Sequence, residues 1–255
     1  MRLKGNTAIV TGGGRGIGRA IALALAKEGA NVVVSARTQS EIEAVALEIQ
    51  NLGQQSLAFI ADATRLDDIE ALAERTKTEF GSIDILVNNA GGTPPEAYDV
   101  PNLIGSALLR PIWEQSEAAW DQNAKINLKP VFLGIKVVVP YMLEQGNGDV
   151  INIASRTGRQ VSRFGLAGYS EMKHAVIALT QNAAFQAASH GIRVNAVSPG
   201  MIDTLGQRRV LATLMPEDQF PPMESAESVA ASVIYLLCDA PKTMTGHSLD
   251  LFNIG

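Results

Sequence analysis

At 255 residues, with 46% apolar and 18% charged residues, the chain is long enough to bury a sizeable core and too apolar to be disordered. Its net charge of −5 offers no basic surface for nucleic acid or for an anionic membrane. Cys238 is the only cysteine, which excludes an intrachain disulfide. Met1–Asn6 contains no signal-peptide stretch and no apolar run reaches the ~18 residues of a membrane span, so a soluble, cytoplasmic protein is expected.

β-branched runs at residues 7–11, 31–35, 56–61, 83–87, 149–154, 193–198 and 247–251 predict seven strands. Between them, 18–28, 40–52, 65–80, 114–144, 169–190 and 226–238 have helical character. Strands separated by helices need crossover connections, hence a parallel sheet covered on both faces. The expectation is α/β: one Rossmann-like, doubly wound domain over 1–255. Two segments break the pattern, 92–113 and 204–223, both rich in proline.

The first strand runs into Thr11-Gly12-Gly13-Gly14-Arg15-Gly16-Ile17-Gly18 and then a helix. A glycine-rich surface turn has the same composition, but here strand, spacing and helix coincide. Such a turn lets backbone approach a pyrophosphate while the helix N-terminus points free N–H groups at the anion. Farther on, Tyr169 and Lys173 stand four residues apart on one helix face, with Ser155 at the end of the fifth strand. A phenol titrates near pH ~10, and a nearby ammonium is expected to lower that value toward the working range. Alone, a Tyr-x-x-x-Lys pair is common on surface helices; a cofactor site facing it gives it meaning.

The spacing Gly-x-x-x-Gly-x-Gly, followed by Asn88-Asn89-Ala90-Gly91, Asn127, Ser155, Tyr169, Lys173 and Pro199-Gly200, resembles the short-chain dehydrogenase/reductase family, and within it members of the 3-oxoacyl reductase type. The resemblance covers nearly the whole chain. It implies a catalytic set of Asn127, Ser155, Tyr169 and Lys173, with Tyr169 as general acid/base, Ser155 holding the substrate oxygen, and Asn127 bending its helix and placing a water behind Lys173. It implies a cofactor set of Gly12, Arg15, Gly16, Ile17, Gly18, Arg37, Asp62, Ala63, Asn88, Ala90, Gly91, Tyr169, Lys173, Pro199, Gly200, Ile202 and Thr204. Asp62 would accept from the adenine amino group, or else cap the helix that follows, with Thr64 the other capping candidate. Asn88, Ala90 and Gly91 would line the adenosine side, with Asn89 structural. Ile202 backbone and Thr204 hydroxyl would hold the carboxamide.

After the second strand stands Ser35-Ala36-Arg37, with no carboxylate to bond the ribose hydroxyls of NAD. Arg37 and Arg15 together suit a 2′-phosphate, so NADP(H) is the preferred cofactor while NAD(H) is not excluded. The insertion at 92–113, with Leu103, Ile104, Leu108, Leu109, Ile112 and Trp113, is expected to form an apolar wall or lid over the substrate pocket, or else to be a subunit contact or a disordered insertion. In 204–223, Leu211, Leu214, Met215 and Phe220 are further apolar candidates. The substrate class is a small ketone or secondary alcohol with an apolar portion. A second apolar face on the Tyr169 helix implies a homo-oligomer; the family resemblance implies a tetramer, with a dimer the alternative. His174 reads as structural, His190 and His247 lack ligand spacing, and no metal is expected. Two other classes share these features: a catalytically silent dinucleotide-binding regulator, and a sugar-nucleotide epimerase or dehydratase with the same Tyr-x-x-x-Lys pair.

Overall fold

The computed structural model describes residues 1–93, 112–160, 168–212 and 215–251. Alternation of β-branched runs with amphipathic stretches resolves into β1 (Thr7–Thr11), α1 (Gly16–Lys27), β2 (Asn31–Ala36), α2 (Gln39–Asn51), β3 (Ser56–Ile60), α3 (Leu66–Phe80) and β4 (Ile85–Asn88). The second half continues with α4 (Glu117–Asn127), α5 (Lys129–Gln145), β5 (Gly148–Ile153), α6 (Tyr169–Ala187), β6 (Ile192–Ser198), α7 (Leu205–Ala212), α8 (Ala226–Ile234) and β7 (Ser248–Asp250). The seven strands form one sheet in the order β3-β2-β1-β4-β5-β6-β7. Every pairing is parallel, for example Ile9 beside Val33 and Leu86.

Period-two alternation sends successive strand residues to opposite layers. Ala8, Val10, Val32 and Val34 pack under α1, α2 and α8, whereas Ile9, Val33, Leu86 and Val150 pack under α3, α5 and α6. This is the Rossmann-like, doubly wound fold that the sequence predicts. The strand order reverses between β1 and β4, and ligands in such sheets bind outside the carboxyl ends of the strands at that switch point.

Three departures from the sequence reading have physical causes. The helix expected over 114–144 is two helices broken at Leu128 (φ −110°, ψ −49°). Pro130 stands just inside the second, where its missing N–H cannot serve the Ile126 carbonyl, while Ser116 caps the first by accepting from Ala119 N–H at 3.1 Å. Second, the combined stretch Glu117–Gln145 spans 29 residues and contains an 18-residue window of mean hydropathy 1.4, enough by length and composition alone to cross a membrane, although it holds no unbroken apolar run of that length. Here Val131, Leu133, Val138 and Met142 are buried against the sheet and its neighbours. Third, the proline-rich 204–223 region contains α7. Arg193, buried in β6, joins the end of the sheet to the C-terminal region. It donates to Leu236 O (2.9 Å) and Leu237 O (3.1 Å), in a π-helical turn, and pairs with Asp149 on β5 at 2.7 Å.

A candidate dinucleotide cradle and its catalytic cluster

The cradle begins at the carboxyl end of β1. Gly12 (φ +64°) and Gly16 (φ +52°) take left-handed backbone that side chains disfavour. A Cβ on Gly12 would stand 2.9 Å from Asn89 Nδ2 and 3.0 Å from Ala90 Cα. A Cβ on Gly18 would collide with the Gly12 carbonyl oxygen, so α1 can start here only because position 18 has none. At the head of α1, Arg15 is the N-cap, with no side-chain cap bond and no acidic residue in the first turn. The uncapped N–H groups and the close backbone suit a pyrophosphate, so the chain's own geometry fits the dinucleotide that its glycine spacing implies.

Side chains that the sequence reading gave no role, or only a structural one, finish the turn. Thr11 Oγ1 accepts from Asn89 N–H (3.1 Å) and Ala90 N–H (3.2 Å), and Asn89 Nδ2 donates to Thr11 O (2.9 Å) and Gly12 O (3.0 Å). Asn89 is therefore structural, as expected. Asn88 differs from expectation: its side chain is 2% exposed, donates to Asn152 Oδ1 at 2.9 Å, and turns its oxygen to Gly134. It ties β4 to β5, and only its backbone belongs to the crevice.

Arg15 and Arg37 are exposed at the ends of the first two strand–helix connections. Asp62 is partly buried at the end of β3. Burial pushes its carboxyl up, but hydrogen bonds from the Thr64 backbone and hydroxyl, with the charges of Arg37 and Lys125, hold it below the usual range. Neither capping candidate caps α3: Asp62 Oδ1 accepts from Thr64 N–H in a local turn, and the N-cap is Arg65, without a side-chain bond. Ala63 is partly buried beside it, and Ile17 packs on the α1 side of the core.

Ala90 leads to Gly91, where a Cβ would stand 3.1 Å from Asn127 Oδ1 and 3.6 Å from Lys173 Nζ. The turn from β4 thus links the cradle to the second cluster. Asn127, fully buried, accepts from Gly92 N–H at 2.9 Å, and its amide reaches Asn123 Oδ1 at 3.4 Å. Buried Asn123 also supports Gly168, whose Cβ would stand 2.9 Å from Asn123 Nδ2; the sequence reading assigned Asn123 nothing. Its spacing, four residues before Asn127 on one helix face, was the available signal.

Ser155 follows β5 as N-cap of a short 3-10 turn, its Oγ accepting from Thr157 N–H at 3.3 Å. Tyr169 opens α6 behind Gly168 (φ +85°). Lys173, 4% exposed, donates from Nζ to Ile153 O at 2.8 Å and lies 5.7 Å from the centre of the Tyr169 ring. Burial brings the Lys173 ammonium down to about 8. Burial also raises the Tyr169 phenol above its ordinary value, with a hydrogen bond to Ser155 pulling the other way. The expected lowering by Lys173 is thus reversed in this arrangement. The ammonium is held by the Ile153 carbonyl, and loss of water outweighs everything else at the phenol. His174 points elsewhere, its Nδ1 2.6 Å from Gly158 O.

On the far side, β6 ends in buried Pro199 and then Gly200. Ile202 buries its side chain and pairs its backbone with Glu224. Thr204 faces Gly16: a Cβ there would be 3.2 Å from Thr204 Cγ2. The Thr204 hydroxyl accepts from Gln207 N–H at 3.1 Å, capping α7, which leaves its proton free to donate. In the following segment Leu211 is buried in the core, Met215 and Phe220 are partly exposed, and Leu214 lies outside the described residues. So does most of the 92–113 insertion; Ile112 and Trp113 at its end are exposed.

Comparison with known proteins agrees with this geometry. The profile of the short chain dehydrogenase family matches residues 6–214. The 3-oxoacyl-[acyl-carrier-protein] reductase FabG of Staphylococcus aureus is 38% identical over 251 residues, covering 95% of each chain. The enzyme of the same name from Thermotoga maritima is 32% identical over 258 residues, covering 98% of each. Among solved structures, levodione reductase superposes with a TM-score of 0.87 at 31% identity, covering 98% of this chain and 97% of its own. A short-chain type dehydrogenase/reductase from Mycobacterium marinum gives 0.86 at 30% identity, covering 98% and 94%. What the glycine spacing and the Tyr-x-x-x-Lys pair first suggested is a membership, and the chain belongs to the short-chain dehydrogenase/reductase family of oxidoreductases.

Proposed function

We propose that this chain is an NADP(H)-dependent oxidoreductase that interconverts a ketone and a secondary alcohol, with Tyr169 as general acid/base. One observation carries the reading. Ser155 acts on the Tyr169 phenol, holding it down against burial, and Lys173 Nζ, 5.7 Å from the centre of the same ring, also borders the Gly91 turn that meets the glycine cradle. Bound nicotinamide would supply or accept the hydride. In the reductive direction Tyr169 gives its proton to the carbonyl oxygen, and Ser155 hydrogen-bonds that oxygen as negative charge develops. A phenol pushed upward by burial is fully protonated at neutral pH, which suits a donor. Lys173 turns from the Ile153 carbonyl to the ribose hydroxyls and balances the phenolate, with Asn127 beside it. Arg15 and Arg37 take the 2′-phosphate, and Thr204 donates to the carboxamide.

The relatives are named as reductases of 3-oxoacyl-[acyl-carrier-protein] and of levodione, which supports a carbonyl substrate here. Exposed Trp120 on α4, Phe132 on α5 and Phe185 on α6 support a homo-oligomer formed through these helices.

The test is turnover of a ketone and secondary-alcohol panel with both cofactors, by wild type and Tyr169→Phe. The substitution should lower kcat by roughly 100- to 10,000-fold, the range for general acid–base catalysis, with NADPH affinity within about twofold. Retained turnover would refute the role of Tyr169, and a higher kcat/KM with NADH would refute the cofactor preference. A wild-type protein that binds cofactor but turns over nothing on the panel would instead be a dinucleotide sensor.

A further inference from the structure

We propose that Glu41 is a specificity-determining residue for the cofactor, competing with the 2′-phosphate for Arg15 and so tempering the preference for NADP(H). The inference rests on the NADP(H) reading above and names the residue that opposes it. Arg15 projects from the glycine turn at the N-cap of α1, 67% exposed, and faces Glu41 Oε1 at 3.6 Å. Glu41 is the one acidic residue in the first turn of α2, just past Arg37 at the ribose end of β2. A carboxylate therefore faces one of the two guanidinium groups offered to a phosphate.

Glycine makes the placement possible. A Cβ on Gly14 would stand 2.9 Å from Glu41 Cβ, so the acid stem rests directly on the turn that would carry the cofactor. One helical turn farther, α1 and α2 are joined by a second pair, which provides a contrast. Arg19 holds Glu48 through two hydrogen bonds, Nε to Oε1 at 3.0 Å and a shorter one from Nη2. At 3.6 Å, Arg15 and Glu41 are attracted but not hydrogen-bonded. The Arg19 pair is a fixed clasp; the Arg15 pair is a loose one that a stronger anion can open. A phosphate offers the guanidinium two forked hydrogen bonds and a higher charge, so it wins Arg15, but only after Glu41 is displaced. NADH brings no charge to this point and leaves the pair undisturbed.

Because the pair is exposed, screening keeps the effect modest, about fivefold in affinity. The experiment titrates NADPH and NADH into the cofactor-free protein by fluorescence, at one ionic strength, for wild type, Glu41→Gln, Arg15→Ala and the double variant. Glu41→Gln should tighten NADPH about fivefold and leave NADH within about twofold, and the gain should fall below about twofold when Arg15 is absent. No NADPH-selective gain in Glu41→Gln, or an undiminished gain in the Arg15→Ala background, overturns the proposal. Tighter NADH than NADPH binding by wild type would instead overturn the underlying cofactor reading. The Glu41→Gln comparison remains a separate outcome, since it asks only how removing one charge changes each affinity.

Discussion

Lys173 gives the proposed site a measurable effect on stability. Its ammonium is almost wholly buried and titrates at about 8, against an ordinary value of 10.5. Between those values the unfolded chain binds a proton at this position and the folded chain does not, so stability rises with pH across the window. Below pH ~8 both states are protonated and the folded state carries the full cost of the buried charge, on the order of 3 kcal/mol for this difference in pKa. By pH 10 roughly 2–3 kcal/mol of that cost should be relieved. Lys173→Met fills similar volume without the charge. The assay is urea unfolding of both proteins at pH 7, 8, 9 and 10, at one protein concentration because an oligomer would make stability concentration-dependent. The wild-type curve should climb relative to the variant by about that amount, the other titrating groups cancelling in the difference. Above pH 10 the raised Tyr169 phenol acts in the opposite sense, since the folded chain then retains a proton that the unfolded chain has lost. Parallel stability curves from pH 7 to 10 would refute the buried-ammonium argument.

Two further outcomes follow from packing. Gly18→Ala gains about 1 kcal/mol of helix propensity, but its Cβ meets the Gly12 carbonyl oxygen, so the turn must shift at a cost of about 1–3 kcal/mol. NADPH affinity should fall at least about tenfold, and an unchanged titration curve would show that the turn does not contact the cofactor. Phe185, 88% exposed on α6, should anchor the subunit contact. Phe185→Asp should reduce the mass measured by light scattering, and an identical mass would remove the contact from this face.

The fold was legible because the strands are short β-branched runs and the helices between them are long, a pattern that only a parallel sheet accommodates. The positions of Ser155, Tyr169 and Lys173 were legible for the same reason, each lying at a strand end or on one helix face. The direction of the Tyr169 shift was not, because it depends on how deeply α6 packs, a tertiary quantity that spacing does not encode. Asn88 misled because the sequence cannot say which side of a strand end an amide faces; β5 offers it Asn152. α7 was missed because Arg208 and Arg209 give it little apolar periodicity. It is held by the Thr204 cap, the Arg208–Asp203 pair and one buried side chain, Leu211. The break at Leu128 was signalled by Pro130, whose effect the long apolar pattern concealed.

The bonds from Asn89 to Thr11 and Gly12 also constrain the order in which the protein can assemble. The amide that braces the Gly12 carbonyl lies 77 residues farther along the chain. β1 reaches β4 only after the α1, β2, α2, β3 and α3 segments have been made, and closing so long a loop is an entropic cost met before its contacts exist. On a ribosome, the glycine turn would emerge early and stay unbraced until the fourth strand followed it out. The glycine turn is thus braced by the same contact that joins the two halves of the sheet, and that contact is long-range in the chain.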